Sequence, residues 1–195
     1  ENYPLTNIFQ YFGPMHDGPV WPLLLTPRDA PLSPTYQLGS RNTLLPWPPS
    51  GDRIAESFPE ILSLEEMVSM CRRMSDSWQR GLGLLDGLGE KYSGNKERTL
   101  DIGVAKALGI QFRSGYNILR FYQLREKLFR MKGEGRVAVL DELEDIIEEE
   151  IKSGNDLIKL CRADSRLGFH PEAEGYKYYP EKLEWRISQL KMTLA

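Results

Sequence analysis

Residues 136–161 read RVAVLDELEDIIEEEIKSGNDLIKLC. Leu140, Leu143, Ile147, Ile151, Ile158 and Cys161 recur at helical spacing. Acids at Glu142, Asp145, Glu148 and Glu149 fall between them. That alternation predicts one long amphipathic helix with a core-facing stripe. Two glycines, Gly133 and Gly135, stand before it and separate it from an earlier helical pattern. That earlier pattern starts at Asn95, a residue suited to capping, and runs to Met131, with Ala105, Leu108, Phe112, Leu119 and Tyr122 as its main apolar stripe. Gly103, Gly109 and Gly115 weaken it locally and mark close helix approach or a kink.

Working outward, Ser63-Leu64-Glu65-Glu66 forms a capping box, in which the serine and the glutamate three residues on satisfy each other's free amides. Met67, Cys71, Met74, Trp78 and Leu85 follow at helical spacing, and the glycines between Gly81 and Gly94 are expected to end that helix. A fourth, shorter helix begins at Pro180, which suits a first-turn position, and continues through Leu183, Ile187, Leu190 and Leu194. Short connections make the first three antiparallel neighbours. The expected fold is therefore mainly α: a bundle of three long helices plus a shorter fourth, preceded by a Pro-rich extended segment.

Composition changes sharply near residue 60. Eleven of the thirteen prolines lie within the first 59 residues, and proline lacks an amide donor and biases its predecessor toward extended geometry. Residues 1–59 are thus expected to be extended chain, with short strands at Asn7–Phe12 and Trp21–Leu25, packing on the bundle or on a missing domain. Residues 60–195 are the bundle. The chain opens on Glu1 with no signal-like pattern, so the expectation is a carboxyl-terminal piece of a longer protein.

The charge of −3 gives no reason to expect a nucleic-acid partner. No apolar run approaches the ~20 residues of a membrane span, so a soluble chain, by default cytoplasmic, is expected. Cys71 and Cys161 sit on apolar stripes roughly 20–30 Å apart by helical rise. That is too far for a disulfide, so two buried thiols are expected. No cofactor is called for. The acids of Asp141–Glu150 are assigned to a solvated or inter-helix-paired face opposite Arg113, Arg120, Arg125, Lys127 and Arg130.

Two loops resist a purely structural account. Tyr11–Pro22 carries His16, Asp17 and Trp21; Ala163–Tyr176 carries Asp164, Arg166, His170, Glu172 and Tyr176. They hold the only two histidines, each followed closely by a carboxylate, among Gly, Pro and aromatic residues. Stiff loops with polar groups beside flat apolar surface suit sugar recognition. Trp21 and Tyr176 would stack on a ring, while Asp164, Arg166, His170 and Glu172 bind hydroxyls. The alternative is that Asp164 and Arg166 cap helix ends and the histidines satisfy buried backbone groups. His16, Asp17, His170 and Glu172 also have the donor types of a metal site, but their spacing is not diagnostic and none is assigned.

The stretches ADSRLGFHPEAEGYKYYPEKLEWRISQL (163–190), FGPMHDGPVWPL (12–23) and GDRIAES (51–57) resemble the carboxyl-terminal part of bacterial glycoside-hydrolase-like proteins, with the α-glucuronidase and hexosaminidase-like groups as the nearest comparison. The resemblance implies a helical region after a catalytic barrel, a carbohydrate ligand, and principal catalytic carboxylates outside this chain. From a different class, a helical interaction or assembly module would bind the remainder of the parent protein or another subunit. A third option is a stand-alone enzyme with His16 or His170 as acid–base catalyst.

Overall fold

The computed structural model describes residues 18–25, 63–170 and 175–195. Among them are four helices, α1 (Leu64–Lys91), α2 (Lys96–Arg130), α3 (Arg136–Ala163) and α4 (Pro180–Leu194), and one two-stranded hairpin, β1 (Phe169–His170) with β2 (Gly175–Tyr176). The fold is mainly α, with three long helices and a shorter fourth. The expected strand at Asn7–Phe12 and the turn at 51–57 lie outside the described residues.

The caps are those the sequence names. The Glu66 amide donates to Ser63 Oγ, and the Ser63 amide donates to a Glu66 carboxylate oxygen at 2.7 Å. The Ser63 amide and the Ser63 hydroxyl, both donating to that carboxylate, hold it below its ordinary range. Asn95 accepts from the Arg98 amide at the start of α2. Gly133 and Gly135, at φ 82° and 91°, turn the chain from α2 into α3. Arg136 then donates to the carbonyls of Leu128 and Met131 at the end of α2.

The glycines of α1 do not end it. The helix runs through Gly81, Gly83, Gly87 and Gly89 to Lys91, since a single glycine costs a helix only about 1 kcal/mol. Trp78 holds that half in place: its indole donates to the Ala105 carbonyl at 2.9 Å, and its ring meets Phe112 edge-on. Gly109 allows the approach, since a Cβ there would lie 2.7 Å from Leu82 Cδ1.

Successive helices pack in order, α1 on α2, α2 on α3, α3 on α4. Two apolar clusters fill the bundle. One joins Ile118, Phe121, Tyr122 and Leu124 of α2 to Leu143, Ile146 and Ile147 of α3 and Leu190 of α4. The other joins Ala107 to Leu157, Ile158, Cys161, Leu183 and Ile187. The buried face of α3 is turned from the expected one. Leu140 is exposed while Val139 and Ile146 are buried, because the helix must serve both α2 and α4. Leu108 of α2 is exposed for the same reason of facing. Cys71 and Cys161 are free, buried thiols.

The acidic run of α3 divides. Glu142 and Glu149 pair across to Arg120 and Arg113 of α2, at 2.6 and 3.4 Å. Glu150 does not belong to a solvated face. It is 1% exposed and lies 2.8 Å from Arg186 of α4. It also accepts from Ser114 Oγ at 2.6 Å and Asn117 Nδ2 at 2.9 Å. In sequence Ser114, Asn117 and Glu150 fall between the members of the two apolar clusters, and with Arg186 they form a buried polar group shared by α2, α3 and α4. A buried charge needs a paired, hydrogen-bonded setting of this kind.

Residues 18–25 join the bundle from outside its helices. Gly18–Val20 form one turn of 3-10 helix, and Trp21–Leu25 continue as extended chain in no sheet. Val20, Trp21 and Leu23 are each at most 3% exposed.

Candidate functional site

The connection between α3 and α4 builds the most site-like surface. Asp164 ends α3, and both of its carboxylate oxygens are bound by Arg166: Nε to Oδ1 at 2.9 Å, Nη2 to Oδ2 at 2.7 Å. The Arg166 amide adds a third bond to Oδ1. Arg166 thereby holds the Asp164 carboxyl below its ordinary range, and Asp164 raises the guanidinium in return. Gly168 then turns at φ 84°, and an added Cβ would run into the Tyr178 carbonyl oxygen. Only glycine fits that turn. The Lys177 amide donates to the Gly168 carbonyl at 2.7 Å, closing the hairpin in which Phe169 pairs with Tyr176 and His170 with Gly175.

Phe169 and Tyr176 lie on one side of this hairpin, edge to face, with centroids 5.4 Å apart. Each ring is half exposed. The Tyr176 hydroxyl donates to the Ser165 carbonyl at 2.8 Å, which fixes the ring from its far end. Beneath, Leu167 and Tyr178 pack into the second apolar cluster, where Val20 also sits. Burial pushes the Tyr178 phenol up to about 12. The result is a rigid base carrying two aromatic rings and, at its edge, the largely exposed Arg166 side chain.

The candidate residues therefore separate. Tyr176 and Arg166 face solvent, and His170 is half-buried on the hairpin. Asp164 is buried, with both oxygens taken by Arg166, so it serves as helix cap and clamp and has no free oxygen edge for a ligand hydroxyl. Trp21 is corrected outright. At 1% exposed it is a core residue of the first cluster and cannot stack on a ligand. Its apolar ring is worth about 2–3 kcal/mol buried in this way. His16, Asp17 and Glu172 lie outside the described residues. Among the described residues no group of three His, Cys, Asp or Glu side chains is placed to hold a metal ion. Phe169 was not among the residues expected at the site. Its alternation with His170 opposite Gly175-Tyr176 was the available signal, too short to stand out.

Other concavities are found among the described residues. A cleft of about 670 Å³ between α1, α2 and α3 is lined by Lys106, Arg113, Glu149, Lys152, Asp156 and Lys159. Its charges are partly neutralised by the Arg113–Glu149 and Lys159–Asp156 pairs. A groove of about 330 Å³ runs between α4 and residues 20–24, bordered by Leu23, Trp185, Gln189, Leu190 and Met192. Trp185 and Met192 are more than half exposed along it. Among the described residues, no helix is long and apolar enough to cross a membrane. Neither family models, nor curated proteins, nor solved structures give a match to this chain.

Proposed function

We propose that the chain is the helical part of a carbohydrate-active, glycoside-hydrolase-like protein, and that the 164–176 hairpin contributes a sugar-binding platform. The half-exposed Phe169–Tyr176 pair on a pinned base carries this reading. An apolar ring face meets aromatic surface without reordering the protein, and few oriented polar groups suffice for direction. Arg166 supplies donors at the edge of the platform. The role proposed is binding, and the Asp164 carboxylate at the foot of the hairpin is committed to Arg166.

The test is a titration with neutral and uronic-acid oligosaccharides, followed by the ring resonances of Phe169 and Tyr176. Tyr176→Ala should weaken binding about tenfold, the worth of one aromatic contact, without changing the helical circular dichroism. If no sugar in a broad panel moves those resonances, the platform reading fails.

A second reading is a helical interaction module. It is favoured by the Trp185 and Met192 side chains, exposed one above the other on α4 beside the apolar groove. Light scattering across a concentration series tests it, and a strict monomer at millimolar protein that binds no other part of its parent would remove it.

A further inference from the structure

Residues 18–25 are held in the way a protein holds a bound peptide. Arg186 Nε of α4 donates to the Trp21 carbonyl at 2.8 Å. From α2, the Tyr122 hydroxyl donates to the Pro22 carbonyl at 2.8 Å and accepts from the Leu24 amide at 3.3 Å. Arg125 Nη1, also of α2, donates to the Leu24 carbonyl at 3.0 Å. Arg125 is itself fixed by Glu126 and lies over the Tyr122 ring. These four bonds are made by bundle side chains to main-chain groups, across sequence separations of 98 to 165 residues. Three of the four read carbonyls, which suits a segment where Pro19 and Pro22 offer no amide. Side-chain sites complete the recognition: Val20 enters one apolar cluster, Trp21 and Leu23 the other. Gly18 sits where any Cβ would meet the Gln111 amide group. Backbone bonds for affinity and alternating pockets for specificity are the elements of extended-peptide recognition. The prolines lower the ordering entropy such a segment loses.

We infer that the groove between α2 and α4 is a peptide-recognition site for the Gly-Pro-Val-Trp-Pro-Leu-Leu segment, filled in cis by residues 18–25, and that the same segment of a second copy fills it in trans. Thirty-eight residues, 26–63, separate the segment from the first helix. Every bond that holds it is therefore chemically the same whichever copy supplies it. A segment supplied by the same chain competes at an effective concentration on the order of millimolar. Cis filling dominates in dilute protein, and exchange emerges when the cis segment is weakened or cut loose. Exchange of an identical element between copies is a low-cost route to a dimer.

The experiment uses the full chain carrying Trp21→Ala and Leu23→Ala, with a fluorescein-labelled synthetic peptide of residues 17–26 followed by anisotropy. The double variant should bind this peptide at least 100-fold more tightly than the wild-type chain does, and a scrambled peptide should not bind. Adding Arg125→Gln should weaken binding at least tenfold. Wild-type chain raised to millimolar concentration, where reciprocal exchange keeps both grooves filled, should give a dimer by light scattering, and the double variant should not. A double variant that keeps its helical signal and cooperative unfolding, yet binds the peptide no better than the scrambled one, overturns the inference. Should the double variant lose its fold, the full chain with a protease site inserted between residues 40 and 41 replaces it. After cutting, the amino-terminal fragment should co-elute with the bundle and exchange for labelled peptide. Loss of the fragment from a still-folded bundle, or retention without exchange, overturns the inference.

Discussion

The Glu150–Arg186 pair gives the sharpest test of how this bundle is held. Arg186→Met keeps a long, flexible apolar stem but removes the charge and its two contacts. Glu150 keeps the Ser114 and Asn117 donors and loses its counter-charge, 2.8 Å away. The Trp21 carbonyl loses its donor. Removing one member of a buried pair costs about 3–5 kcal/mol, because the other charge stays buried. The orphaned carbonyl belongs to the same small region, so its ~1–3 kcal/mol overlaps with that figure and does not simply add. A net loss of about 4 kcal/mol is expected, a large share of the ~5–15 kcal/mol that stabilises a domain. At this chain length that is about 8–16 °C in Tm. The assay is urea unfolding followed by circular dichroism at 222 nm, with an unchanged slope as the check that only stability moved. Glu150→Gln alone should cost a similar amount, since it strands the arginine. The double variant should lie within about 2 kcal/mol of wild type, because neither charge is left buried alone. A loss below 1 kcal/mol for Arg186→Met, or strict additivity in the double variant, would refute this account.

Two glycine substitutions should differ in sign. Gly109→Ala pushes a methyl to 2.7 Å from Leu82 and 3.0 Å from Trp78, costing about 1–3 kcal/mol of overpacking against a helix-propensity gain of ~1 kcal/mol. Gly83→Ala meets nothing within 4 Å and should stabilise by about 0.5–1 kcal/mol; paired thermal melts decide both. Burial pushes the Cys71 thiol from 9.0 up to about 12, and burial with the Asp164 charge pushes Cys161 up to about 11. Each thiol is raised in the folded state, so its stabilising contribution is complete below about pH 9 and is lost as pH climbs through 11 to 12. At pH 8 both should react with an aromatic disulfide reagent only as fast as the bundle opens; reaction at the free-cysteine rate with the helical signal intact would contradict the burial.

The helical frame was legible in the sequence because local groups carry it. Ser63 and Glu66 satisfy each other, Asn95 caps α2, Gly133 and Gly135 supply positive φ, and Pro180 opens α4, all within a few residues. Elements that depend on distant partners read less well. The glycines of α1 looked like an end because glycine is a poor helix former, yet Trp78 and Leu82 anchor the helix on α2 and it continues as a largely exposed extension to Lys91. Glu150 looked like its neighbours Glu148 and Glu149, since nothing in the run says that Arg186 will face it. Of the candidate site, residue type and loop context single out Arg166 and Tyr176, and both side chains are exposed. Phe169 and the commitment of Asp164 to Arg166 emerged only with the turn at Gly168.

The sequence alone determined that residues 63–195 form three long helices and a shorter one, with buried thiols and polar outer faces, because apolar period and capping chemistry are local. Tertiary structure alone decided which side of each helix is buried, that Trp21 lies in the core and not on a surface, and that Glu150 meets Arg186. Those outcomes depend on chain brought together from 33 to 165 residues away, and no local pattern records which distant group will be there to neutralise a charge or cover a ring.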